Sequence, residues 1–225
     1  MKLQLSNYKT LVFDCDGVIL HSNKVKTEAF YLASLPYGVK AAEELVSYHI
    51  ANGGISRYKK FKYFMSAIVP IYSKGFIEGP TLEELLDSYA SKVRTGLLEC
   101  NVAKGLDDLK KQLPGVPWLI VSGGDQDELR EVFKKRNIDY LFDGGIFGSP
   151  DDKELILKRE INNGNIIKPA LFLGDSKYDY KASNSAELDF VFISGWSEVE
   201  NAITWCASNK IKNYSRVDEL NTMEV

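Results

Sequence analysis

Histidine is scarce in this sequence: only His21 and His49 occur. Cysteine is nearly as rare, with Cys15, Cys100 and Cys206 far apart and odd in number. Neither set has the spacing of a zinc site or a disulfide framework. No excess of positive charge exists either. Twenty-eight Lys and Arg stand against 31 Asp and Glu, for a net charge of -3, without the basic stripe that nucleic-acid binders carry. No apolar run is long enough to cross a bilayer. The opening stretch, whose very short apolar segment runs straight into two acids, does not read as a signal peptide. The expectation is a cytoplasmic protein whose partner is neither nucleic acid nor membrane; its oligomeric state is left open. Cys15 sits between Asp14 and Asp16. Acids on both sides disfavour a thiolate, so Cys15 reads as a buried, inert thiol rather than a nucleophile.

What is present is ordinary globular material, 225 residues and 44% hydrophobic, enough for one domain and a modest insertion. Short β-prone runs occur at Thr10 to Phe13, Trp118 to Val121, Ala170 to Leu173 and Phe190 to Ile193, and more weakly at Tyr140 to Phe142. Several are continuously apolar, as strands of a parallel sheet buried on both faces are. Helical patterns separate them: Leu106 to Leu113, Asp125 to Asn137, Lys153 to Asn162 and Val199 to Ala207. A short strand or tail is expected from about Tyr214. Alternating strands and helices predict an α/β fold with a Rossmann-like parallel sheet.

Between the first and second strands the pattern changes. Residues 23–99 hold no convincing strand and predict helices over Lys26 to Leu35, Lys40 to Ala51, Arg57 to Ile71 and Leu82 to Leu98. Gly53-Gly54 and Gly79-Pro80 punctuate them. Thr81 and Glu84 make a capping box for the last. The division is therefore an α/β core of residues 1–22 plus 100–225, interrupted by a helical insertion at 23–99.

The acids fall where such a sheet places a site. Ligands of open α/β sheets bind outside the carboxyl ends of the strands. The first strand ends in Asp14 and Asp16, the second in Ser122-Gly123-Gly124, and the Ala170 run in Gly174-Asp175 with Asp179 just after. One such end is an ordinary turn; three on one edge are not. Converging carboxylates repel one another unless a cation is present. An oxygen-only donor set suits a hard ion such as magnesium.

The ordered set VFDCDGVI, LIVSGG, the lysine of GSPDDKELIL and LFLGDSKYD resembles the motifs of the haloacid-dehalogenase-like (HAD) superfamily. The likeness is to its phosphatase branch with a helical cap inserted after the first strand, the phosphoglycolate phosphatase and β-phosphoglucomutase-like group. The resemblance spans nearly the whole chain. It implies a Mg2+-dependent phosphohydrolase with Asp14 as nucleophile and Asp16 as general acid and base. It implies magnesium held by Asp14, the Asp16 carbonyl and Asp175. Ser122 and the Gly123 amide would bind phosphate, and Lys153 would offset developing charge. Asp179 would support the metal's waters or position Lys153. The implied partner is a small phosphorylated metabolite, a sugar phosphate or related acid. A second acid two residues after the first sets the chain apart from dehalogenases, whose halide leaves without a proton.

Substrate selection would fall to the cap. Arg57, at a helix start after Gly53-Gly54, is a candidate for pairing with an anionic part of the substrate; Lys60 is a further candidate. The aromatic series Tyr58, Phe61, Tyr63 and Phe64 reads as packing. His21 replaces an acid common in the family and reads either as a hinge or packing residue or as a substrate contact. A phosphosugar mutase, using the same two aspartates, and a phosphonatase, needing a cap lysine, are the alternative activities.

Overall fold

A computed structural model describes residues 3–73 and 79–222. Six strands form one parallel sheet: β1 (Thr10–Phe13), β2 (Trp118–Asp125), β3 (Gly145–Ser149), β4 (Ala170–Gly174), β5 (Asp189–Ile193) and β6 (Lys212–Tyr214), in the order β3-β2-β1-β4-β5-β6. The order reverses beside β1, so the crevice at the carboxyl end of β1, flanked by β2 and β4, is where such a sheet takes ligands. The apolar strands explain the placement. Leu11 and Phe13 project to one face with Trp118, Ile120, Leu171 and Leu173. Val12 projects to the other with Leu119, Val121 and Phe172. All are buried, as a central strand covered on both sides requires.

Helices α1 (Asn23–Ser34), α2 (Val39–Ala51), α3 (Arg57–Tyr63), α4 (Val69–Tyr72) and α5 (Leu82–Glu99) all lie between β1 and β2. They form a block whose centre is the aromatic trio Phe30, Phe61 and Tyr89, with ring centroids 4.4 to 5.7 Å apart. A π-helical turn, Phe64–Ile68, joins α3 to α4. Pro70 follows it and cannot donate to the regular ladder. Thr81 and Glu84 cap α5 reciprocally. Phe61 and Phe64 are fully buried, while Tyr63 is exposed and stacks on Tyr48.

Beyond the block come α6 (Leu106–Gln112), α7 (Gln126–Lys135), α8 (Lys153–Asn162), α9 (Lys177–Ser185) and α10 (Ala202–Ser208). The chain leaves and re-enters the sheet region side by side. His21 N donates to Asn101 O at 2.9 Å, Ala103 N donates to Ile19 O at 2.8 Å, and Leu20 bridges Val102 antiparallel.

Three local expectations change. Tyr140 to Phe142 is not a strand; Asp139–Leu141 is a 3-10 turn. Leu141 and Phe142 plug the core there, and the Asp143 carboxylate accepts from Trp118 N at 2.9 Å and Lys110 Nζ at 2.7 Å. The edge strand is the glycine-rich β3 that follows. The helix expected from Val199 begins only at Ala202, because Asn201 is left-handed (φ 54°). Helix α9, unanticipated, is nucleated by a capping box between Ser176 and Asp179.

Candidate active site

Asp14 is the first residue beyond β1, 2% exposed. Its Oδ1 accepts from Cys15 N at 2.7 Å and lies 2.9 Å from Lys153 Nζ. Among the described residues its Oδ2 has no hydrogen-bond donor. Lys153 opens α8 and is 1% exposed; its other partner is Asp179 Oδ1, at 2.5 Å. The second oxygen of Asp179 is fully engaged. It accepts from the Asp175 amide, and from the amide and hydroxyl of Ser176, at 2.7 to 3.2 Å. The capping box that starts α9 thus also fixes the carboxylate that orients Lys153.

Asp16 follows Asp14 by two residues. Its Oδ1 accepts from Ser22 Oγ at 2.6 Å, and its Oδ2 from Lys26 Nζ at 2.5 Å. Gly17, at φ +74°, makes the turn. A Cβ there would stand 2.0 Å from Asp175 Oδ2 and 2.6 Å from Asn23 Nδ2, so only glycine lets these acids approach. Asp175, directly after β4, accepts from Asn23 Nδ2 at 2.8 Å.

The electrostatics fit a cation. Burial first, then the neighbouring Asp179, push the Asp14 carboxyl up to about 7 despite Lys153. Burial and the Asp14 charge raise Asp175 well above the ordinary carboxylate range. Asp16 differs: burial opposes its charge, but Lys26 and Ser22 outweigh it, and its carboxyl titrates below the usual range. Asp14, Asp175 and Asp179 can each bring one oxygen within 4.8 Å of the others. Because both oxygens of Asp179 are already bonded, Asp14 and Asp175 are the side chains with capacity to spare for a metal. Their raised pKa values mark charge that a bound divalent ion would relieve.

A cavity lined by the acids lies between the sheet edge and the helical block. Asp14, Asp16, Gly123, Gly124 and Asp175 line it from the sheet; Arg57, Lys60, His49 and Tyr89 line it from the block. Ser122 is wholly buried in β2, its Oγ accepting from Gly124 N at 3.1 Å. The hydroxyl proton is therefore left to donate. Gly123 touches the block closely: a Cβ there would meet Gly54 O at 2.2 Å. Arg57 lines the cavity but is already paired, with Glu128 Oε2 at 3.0 Å and Asp125 Oδ2 at 3.6 Å. Lys60 is 1% exposed. His21 lies outside the lining, stacked on Trp196 with ring centroids 4.8 Å apart.

Sequence reasoning missed Asn23, Lys26, His49, Tyr89, Glu128 and Glu198, all in the lining. Asn23, Lys26 and Phe30 share one face of α1 by their spacing, which was a usable signal. Glu198 reaches the site from a loop after β5 and carries none.

A family model for haloacid dehalogenase-like hydrolases matches residues 8–187. A search of curated proteins finds no match. Among solved structures, a predicted phosphoglycolate phosphatase from Haemophilus somnus 129pt is 16% identical, with a TM-score of 0.73 over 96% of this chain and 98% of its own. CbbY from Rhodobacter sphaeroides in complex with phosphate is 16% identical, with a TM-score of 0.69 over 95% and 96%. A predicted phosphatase from Clostridium acetobutylicum is 18% identical, with a TM-score of 0.69 over the same shares. At these identities the likeness is one of fold.

Proposed function

The chain belongs to the haloacid dehalogenase-like hydrolases, and from that premise we propose that it is a magnesium-dependent phosphatase acting on a small phosphorylated metabolite through an aspartyl-phosphate. The observation that carries this reading is the pair Asp14 and Asp16 beside the cavity, the first held by Lys153 at 2.9 Å and the second by Lys26 at 2.5 Å. Two carboxylates in different environments suit two different roles.

Asp14 Oδ2 is the nucleophilic oxygen, since Oδ1 is anchored by Cys15 N and Lys153. It attacks phosphorus, the bond from phosphorus to the leaving oxygen breaks, and Asp16 gives that oxygen its proton. For this Asp16 must be parted from Lys26, which otherwise keeps it ionised. Asp16 then takes a proton from water as that water attacks the aspartyl-phosphate, releasing phosphate and restoring Asp14. Ser122 and the Gly123 amide, with Lys153, hold the phosphoryl oxygens. Asp14, Asp175 and the Asp16 carbonyl would hold magnesium, which would supply neutralisation of the phosphoryl charge. The helical block, residues 23–99, serves as the cap that excludes water from the cavity.

The test is phosphate release from a panel of phosphomonoesters by the purified protein, with and without magnesium. Magnesium-dependent release is expected. Isomerised ester in place of free phosphate would instead mark a mutase. Absence of both, p-nitrophenyl phosphate included, would overturn the reading.

A further inference from the structure

Three cations line the cavity, and two have carboxylate partners: Lys26 with Asp16, and Arg57 with Glu128 and Asp125. Lys60 makes no ion pair among the described residues. Its Nζ lies 2.6 Å from His49 Nδ1 and 3.4 Å from His49 O. The Phe30 ring lies 5.5 Å from the same nitrogen. A protonated lysine only donates, so with Lys60 charged His49 Nδ1 accepts and the imidazole hydrogen sits on Nε2. That Nε2 is buried and has no partner, in a residue only 7% exposed. Lys60 thus directs two of its hydrogens at His49 and keeps a third, and His49 keeps its Nε2 hydrogen; among the described residues no other acceptor answers either. Buried donors left unpaired are rare and costly. An apolar side chain would fill the Lys60 position without desolvating a charge, so packing alone does not account for the pair.

Resting on the phosphatase reading, we propose that Lys60 and His49 are the specificity-determining pair of the cap, and that they read a carboxylate on the leaving group. The chain would then prefer phosphorylated hydroxy acids to phosphorylated neutral alcohols. One cation and one neutral N–H match a carboxylate in charge and in number of oxygens. A second phosphate fits poorly, because Asp16 and Glu198 also line this cavity and repel a dianion. The groups acting on Lys60 come from every side: His49 from α2, Lys26 from α1, Lys153 from α8, Asp16 after β1 and Glu198 before α10. Burial, then Lys26, push its ammonium down to about 7, against the opposing pull of Asp16 and Glu198. Carboxylate recognition should therefore weaken as pH rises through neutrality.

The experiment measures kcat/KM with magnesium for 2-phosphoglycolate, glycerol 1-phosphate and p-nitrophenyl phosphate. The wild type should favour the acid over glycerol phosphate. In Lys60→Met that preference should fall about 10- to 100-fold, the worth of a buried hydrogen bond to a charged group, chiefly through KM. In His49→Gln, which keeps a donor, it should fall less. A preference unmoved by Lys60→Met, or a wild type favouring the neutral ester, would overturn the proposal. Should Lys60→Met fail to fold, the wild type decides alone. Its KM for phosphoglycolate should rise about tenfold from pH 6 to pH 8, as the protonated fraction falls, while that for glycerol phosphate changes far less; parallel profiles refute it. Release from p-nitrophenyl phosphate without acid preference sinks this proposal only, whereas no release from any ester sinks the phosphatase reading beneath it.

Discussion

Asp14 carries the heaviest chemical assignment of any residue, and its surroundings say what removing its charge would do. Asp14→Asn keeps the volume and one acceptor for Cys15 N but takes away the nucleophilic oxygen. Phosphate release should drop by more than about 10⁴-fold, as for other covalent nucleophiles, while the thermal midpoint holds or rises, because one of several mutually repelling acids is gone. A variant retaining a tenth of wild-type turnover would remove Asp14 from the mechanism. Asp14, Asp16 and Asp175 were legible because they come within three residues of the end of an apolar strand, and Ser122 because it closes the WLIV run; Lys153 and Asp179, on helices α8 and α9, were legible through the ordered motifs of the family resemblance. Lys26 was missed although its spacing from Asn23 and Phe30 put it on their face of α1; His49 was not legible, because which face of α2 meets a cavity depends on packing among distant elements. Lys60 was visible as a basic residue after a Gly-Gly turn. Its partner His49, on another helix, was not.

Among elements, the end of β2 and the α2–α3 turn meet closely, at Gly123 and Gly54. Gly123→Ala would drive a methyl into Gly54 O, which stands 2.2 Å from the Cβ position. The turn must retreat by about 1 Å, carrying Arg57 and Lys60 with it. Misplacement on that scale costs about 10²-fold in turnover. The sheet itself should survive, so activity should fall with circular dichroism and thermal midpoint little changed; wild-type turnover would show the turn to be freely adjustable. The helices of the block were readable from their periodicity, and strands β1, β2, β4 and β5 because each is a short continuous apolar run. Strand β3 was hidden, since two of its five residues are glycine and it lies at the sheet's edge. Helix α9 was hidden by its polarity, and only the Ser176 and Asp179 pair advertised it. Where hydrophobic pattern fails, caps and packing decide.

At the scale of the whole molecule, stability should depend on pH and magnesium together. Asp14 titrates at about 7 and Asp175 well above the ordinary range in the folded chain, whereas unfolded aspartates titrate near 4. Between those values the folded state binds more protons than the unfolded one. Metal-free stability should accordingly decline as pH rises from about 4 through 7. Magnesium supplies the missing positive charge, so saturating metal should raise the thermal midpoint by about 5–10 °C at pH 8 and by clearly less at pH 5. An equal shift at both pH values would show that the metal does not bind at these acids. Another consequence belongs to the two connecting segments that tie the block to the sheet. His21 to Asn101 and Ala103 to Ile19 bring departure and return together within one hydrogen bond's reach. An insertion whose ends meet asks nothing of the frame that carries it. At this joint a change of length in the distal part of the block need not shift β1 or β2, provided Asn23 and Lys26 stay to hold Asp175 and Asp16.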